Sequence, residues 1–171
     1  MVKEDGSMNG NWYDTAQICT NGHVINSQSV YRPEHNKEFC DRCGAPTITN
    51  CQKCNSPIKG YYHVPPLGTL DYTDLPLPSF CPDCGKPYPW TEGKLKAAQE
   101  LSDELDNLSP EERNLLKRSL DDIVRDTPQT TVAATRFKRL VAKAGPAAAE
   151  GFRKILVDVL SEAVKRAIWP S

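Results

Sequence analysis

No stretch of this 171-residue sequence approaches the roughly 18 consecutive apolar residues that a membrane-spanning helix needs. The longest apolar-rich segment, Ile155 to Trp169, is interrupted by Asp158, Glu162, Lys165 and Arg166. The opening residues, Met1 to Trp12, hold no apolar core segment and one basic residue, Lys3, so no secretory leader is expected and a cytoplasmic protein is. Catalytic signatures are missing too. There is no HExxH, no GxxxxGK[ST], no GxSxG and no GxGxxG. Phe80-Cys81-Pro82-Asp83-Cys84 offers the CPxC of a zinc deaminase, but no HxE precedes it, and Pro33-Glu34-His35 has the wrong order. No catalytic residue is assigned, and a non-enzyme is expected.

A further absence divides the chain. Residues 91–171 contain no cysteine, histidine or tyrosine. All seven cysteines, three histidines and six tyrosines fall in residues 1–90. The expected domains are a metal-stapled region over 1–90 and a helical interaction region over 91–171.

The cysteines are patterned: Cys19, then Cys40 and Cys43, Cys51 and Cys54, Cys81 and Cys84. Three are CxxC pairs, and Cys19-Thr-Asn-Gly-His23 is a CxxxH. Seven thiols cannot all pair as disulfides, and a reducing compartment disfavours such bonds. Seven thiols plus the His23 imidazole fill two tetrahedral zinc shells. Sequential pairing joins Cys19, His23, Cys40 and Cys43 in a site spanning about 13–48. It joins Cys51, Cys54, Cys81 and Cys84 in a second spanning about 49–90. The seven-residue gap from Cys43 to Cys51 suits two abutting ribbons. A cross-braced arrangement, first pair with third and second with fourth, stays open. Gly44, Asn55 and Gly85 follow their cysteines where a tight turn needs positive φ, and Gly22 precedes His23. His35 and His63 have no ligand spacing and read as ordinary loop or strand residues. Four donors per ion leave no position for water, so both zinc ions are expected to be structural.

The second half reads as about four helices. Thr91 is a candidate N-cap ahead of Leu95, Ala98, Leu101, Leu105 and Leu108. Ser109-Pro110-Glu111-Glu112 is a capping box with proline at N1, ahead of Leu116, Leu120, Ile123 and Val124. A third helix is expected from Thr131 to Ala144 and a fourth from about Pro146 to Ile168. The fourth has an apolar face wide enough to meet two neighbours, and self-association or a partner protein could use it. The fold class is therefore α+β: two small zinc ribbons of short hairpins, then a helical bundle.

Charge bears on partners. Residues 1–90 hold seven Lys/Arg and nine Asp/Glu, a balance of −2 that bound thiolates and two zinc ions bring to −5. That argues against phosphate contact by this half. Arg136, Lys138, Arg139 and Lys143 form one basic run that could touch nucleic acid. Tyr61-Tyr62 and Tyr88-Pro89-Trp90 could stack bases but more often cover a small ribbon. Trp90 is read as a plug between the two halves. The Val64–Ser79 segment, with four prolines and two aspartates, is read as an exposed insertion suited to a protein contact.

The stretches Ala16-Gln17-Ile18-Cys19-Thr20-Asn21-Gly22-His23-Val24-Ile25-Asn26, Phe39-Cys40 to Gly44, and Cys81 to Thr91 resemble an uncharacterised bacterial family of tandem zinc ribbons. The resemblance covers most of the chain. It implies bacterial origin and paired ribbons, and it supplies no activity. The expected function is a non-enzymatic interaction or adaptor module. A nucleic-acid-binding accessory protein is the alternative, and a component of a bacterial antiviral defence or toxin system ranks below both.

Overall fold

The computed structural model describes residues 10–64 and 75–169. The chain divides into two compact units that meet in sequence between Trp90 and Thr91. Most of the proline-bearing Val64–Ser79 segment, residues 65–74, lies outside the described residues.

The first unit is built from short strands. β1 (Trp12–Thr15) pairs antiparallel with β5 (Lys59–His63), in the register Trp12↔His63, Tyr13↔Tyr62 and Thr15↔Lys59, with a bulge between Tyr13 and Thr15. A three-stranded sheet has the order β3-β2-β4, from Val24–Asn26, Gln17–Cys19 and Thr47–Ile48. The two ribbons are therefore not separate beads. β1 precedes the first cysteine, yet it pairs with a strand inserted between the second and third CxxC pairs.

Strands this short bury little, so polar side chains fix the loops. Gln17 donates to Lys37 O and Thr47 Oγ1, each at 3.0 Å, and accepts from Lys37 N. Asn26 donates to Arg32 O and Asn36 Oδ1 and accepts from Gln28 N. Gly60 lies where β5 presses on its neighbours. A Cβ there would stand 2.2 Å from Ser27 O and 2.8 Å from Ala16 N, both backbone atoms.

The second unit is helical: α1 (Pro89–Asp103), α2 (Pro110–Arg125), α3 (Thr130–Ala144), α4 (Pro146–Leu156) and α5 (Glu162–Ile168). Three expectations change. Thr91 is not an N-cap. Proline presets a helical φ, so the helix starts at Pro89, and Thr91 lies buried inside its first turn. The helix also stops at Asp103, leaving Leu105 and Leu108 in the following turn, where Arg113 clamps the carbonyls of Asp103, Leu105 and Leu108. The single helix expected from Pro146 to Ile168 is two. The chain turns at 157–161, burying both Val159 and Leu160, and Ser161 caps the new helix by accepting from Val164 N. Much of the wide apolar face is thereby buried within the unit, at Phe152, Leu156, Val159, Leu160, Val164 and Ile168, while Ile155 and Val157 stay half-buried. The capping box is present, with Ser109 and Glu112 bonded reciprocally. Phe137 of α3 centres the core, edge-on to Phe152 at 5.2 Å and to Trp169 at 6.4 Å. Among the described residues, no helix is long and apolar enough to cross a membrane.

Two glycines test this packing in opposite directions. Gly60→Ala must displace backbone and is expected to prevent the first unit from folding. Gly93→Ala, inside α1 with no atom within 4 Å of the added Cβ, is expected to stabilise by about 0.5–1 kcal/mol. Denaturant unfolding followed by circular dichroism measures both.

Candidate metal centres

The structure brings all eight proposed ligands into two clusters, Cys19, His23, Cys40 and Cys43, and Cys51, Cys54, Cys81 and Cys84. Within each, the ligand atoms lie within 4.8 Å of one another. The pairing is sequential, not cross-braced.

One local design recurs three times. Phe39–Pro46, Asn50–Pro57 and Phe80–Pro87 each carry a residue, CxxC, Gly or Asn, any residue, then proline. In each, the first and last residues form an antiparallel bridge. The first cysteine's amide donates across the turn, to Ala45 O, Ser56 O or Lys86 O at 2.8–2.9 Å. The residue after the second cysteine donates back to the first cysteine's carbonyl at 2.8 Å. That residue has φ of 69° at Gly44, 62° at Asn55 and 67° at Gly85. The tight turn aims both sulfurs at one point. The fourth knuckle is a variant: Cys19 N donates to His23 O, and His23 N donates to Cys19 Sγ at 3.2 Å. Gly22, at φ 91°, lies against Trp90, where a Cβ would meet the Trp90 Cβ at 3.0 Å.

The distances test the fit to an ion. Cys19 and Cys43 sulfurs are 3.8 Å apart, Cys51 and Cys84 3.8 Å, and Cys54 and Cys81 3.7 Å. His23 Nδ1 is 3.5 Å from both Cys19 and Cys40 sulfurs. A disulfide would need about 2.05 Å, and all seven cysteines are free. A tetrahedral ion with bonds of about 2.3 Å to sulfur and 2.05 Å to nitrogen has edges of about 3.8 Å and 3.55 Å. These five edges have those dimensions.

The electrostatics show why a cation belongs there. Cys43 is pulled down to about 6, first by the Ala45 amide and then by the Asn21 side chain. Cys54 is pulled down to about 6 by the Ser56 hydroxyl and then the Ser56 amide. Cys84 also receives an amide, from Lys86, the largest single influence on it. Burial and the three neighbouring cysteines outweigh that amide and push it up to about 12. Burial likewise raises Cys19. Cys43 and Cys54 thus ionise readily, while Cys19 and Cys84 resist, through burial and because thiolates this close repel one another. Tyr88 is driven upward by burial, then by the charge of Cys81, with which its side chain hydrogen-bonds. Tyr88 stacks on Trp90 at 4.6 Å, and the Trp90 indole donates to Pro78 O at 2.8 Å.

Of the other histidines, His35 is an exposed residue in a 3-10 turn, 3.7 Å from Glu34. His63 is buried in β5, its Nε2 3.1 Å from Asp14 Oδ2. It is stacked on Trp12 at 4.1 Å, with Tyr31 and Tyr61 against it. Asp14 also accepts from the amides of Thr15, Val30 and Tyr31. This hub was missed, since nothing in the spacing of residues 14 and 63 announces it. The repeated proline was also missed, yet it stands in the sequence three residues after each second cysteine of a CxxC.

Metal binding is expected to release protons. Cys84, pushed up to about 12, is protonated at neutral pH without an ion and must ionise to ligate. Protons therefore compete with metal, and affinity falls as pH falls. For the second cluster the apparent affinity should rise at least about tenfold from pH 7 to 8. Competition titrations with a chelator at several pH values check this, and a flat profile would contradict it.

No curated protein and no solved structure matches the chain. A family model described as an uncharacterized protein conserved in bacteria (DUF2321) matches residues 12–168, nearly the whole of it, and the chain belongs to that family.

Proposed function

We propose that this chain is a non-enzymatic zinc-ribbon protein that works as a protein-interaction module. The observation that carries this reading is the closure of both donor sets: four donors each within 4.8 Å of one another, with five of their edges at tetrahedral length. A catalytic zinc keeps a position for water, usually on three protein ligands. Thiolates joined by one imidazole in a tetrahedron are a donor set that suits zinc. Reduced cysteines fit a reducing compartment, which supports a cytoplasmic location.

In this reading the ions hold surfaces in place. Six large apolar side chains are conspicuously exposed among the described residues. Five of them, Tyr13, Val30, Tyr31, Phe39 and Tyr62, are in the first unit. Tyr13 and Tyr62 face each other across β1 and β5 at 4.6 Å, with the Lys59 ammonium 5.4 Å above the Tyr13 ring. Buried Asp14 holds the amides of Val30 and Tyr31, so those two side chains are presented by a fixed loop. Rigid tyrosines are favoured at protein interfaces. Self-association through the helical unit is the other form of this reading. There Phe152, Leu156, Val164 and Ile168 of α4 and α5 are buried, Ile155 is half-buried, and Val132 of α3 is exposed.

Cobalt substitution tests the reading. Two Co(II) ions per chain are expected, with tetrahedral d–d bands that excess azide leaves unchanged. A band shift on adding azide would reveal an open coordination position and overturn the structural role. Sedimentation velocity over a wide concentration range addresses the second form; a monomer throughout would overturn self-association.

A further inference from the structure

The net charge of −1 conceals a segregation within the helical unit. Residues 91–129, which hold α2 and nearly all of α1, contain ten Asp/Glu and six Lys/Arg. Residues 130–169, which form α3 to α5, contain three Asp/Glu and eight Lys/Arg. One half of the bundle is acidic and the other strongly basic.

The ion pairs sharpen this contrast. All three acids of the basic half are engaged by lysines: Glu150 by Lys154 at 3.6 Å, Glu162 by Lys165 at 2.6 Å, and Asp158 by Lys94 of α1. Lys143 is held by both carboxylate oxygens of Glu112 on α2, at 2.7 and 2.8 Å. Five cations remain with no carboxylate within 4 Å among the described residues: Arg136, Lys138, Arg139, Arg153 and Arg166. All are exposed. Arg139 still feels the field of Glu112, whose carboxyl it helps to lower.

Their placement follows from the packing. Arg136 and Arg139 share the outer face of α3 with Lys143, the buried face being marked by Ala133, Ala134, Phe137, Leu140 and Val141. α2 covers one flank of α3, where Lys143 meets Glu112. Lys138 projects from the opposite flank, next to the seam where Phe137 meets Phe152 of α4. Arg153 follows Phe152, on the side of α4 away from Gly151, which packs on Leu101 of α1. Four of the five cations are arginines, whose planar fork binds phosphate oxygens two at a time.

We propose that the basic half of the helical unit, α3 to α5, is a binding face for the phosphate backbone of nucleic acid. This goes beyond the interaction-module reading and does not depend on it. A membrane surface is the lesser fit. Binding in a bilayer interface needs an apolar helix face turned outward, and among the described large apolar residues of α3 to α5 Val132 is exposed, Ile155 is half-buried and the rest are buried. Base-specific readout is not implied, because backbone contacts position a protein without reading sequence.

The test is titration of the zinc-loaded chain against a fluorescein-labelled DNA duplex of about 20 base pairs, followed by anisotropy at several salt concentrations. Five phosphate contacts predict a slope of about −4.5 in log affinity against log salt, or about a 500-fold loss between 50 and 200 mM. Arg136→Ala combined with Arg139→Ala should reduce that slope by about two, while Arg136→Lys with Arg139→Lys should keep it. These residues are exposed on a helix, and circular dichroism and zinc content of each variant confirm an intact fold. Absence of binding at low salt by the folded, zinc-loaded chain would overturn the proposal. So would a slope unchanged in the alanine variant, or binding to phosphatidylserine vesicles in place of DNA. None of these outcomes touches the cobalt spectrum, so this inference and the structural-zinc reading fail separately.

Discussion

Four electron-rich atoms held less than 5 Å apart are the constraint on which the first unit depends. Without a cation, that geometry sets thiols against one another, as the upward push on Cys84 beside its three neighbours shows. With one, the same geometry becomes the strongest cross-link in the unit. The strands are too short to act alone: the longest has five residues and one has two. On the structural-zinc reading, a region this small draws folding energy from metal ligation in place of a large apolar core. Its buried side chains reflect that, since Cys19, Cys40, Cys51 and Cys81 are part of the interior.

The second cysteine of each knuckle is treated differently. Cys43 and Cys54 are exposed and Cys84 is half-buried, and each receives an amide from two residues on: Ala45, Ser56 and Lys86. Each knuckle thus has an inner sulfur that packs and an outer sulfur that is hydrogen-bonded. The inner one fixes the position of the site in the fold. The outer one has its charge spread onto the backbone, which stabilises the thiolate that an ion requires. Tyr88 adds a side-chain hydrogen bond to the inner Cys81, and its stack on Trp90 fixes where that bond can be made.

How much of this was legible in the sequence depends on the range of each interaction. The knuckles are local, closed within eight residues, so the CxxC spacing and Gly44, Asn55 and Gly85 announce them. The capping box at Ser109 is equally local. Thr91 misled because two competing starts overlap, and Pro89 begins the helix earlier. The break at 157–161 is hidden because Ser161 stands in a run whose helical periodicity continues on both sides of it. What decides the break is the burial of Val159 and Leu160 against the rest of the bundle, a tertiary term that local propensity cannot supply. The Asp14–His63 pair is wholly non-local, its partners 49 positions apart, and strand pairing alone brings it together.

Charge shows the same dependence on range. The total of −1 and the near-neutral count over residues 91–171 both suggest a chain indifferent to polyanions. A field, however, is set by where charges stand and by which are already paired. In α3 to α5, lysines occupy the carboxylates and Arg136, Arg139, Arg153 and Arg166 are left over with Lys138, while the acidic residues are concentrated in α1, α2 and the turns after them. Within a Debye length of about 10 Å, a phosphate would meet the local excess and not the sum. From sequence, Arg136, Lys138, Arg139 and Lys143 read as one basic run able to touch nucleic acid. Folding changes its composition, because it removes Lys143 to Glu112. A charge total excludes phosphate binding only when charges are well mixed over the surface, and in this unit they are not.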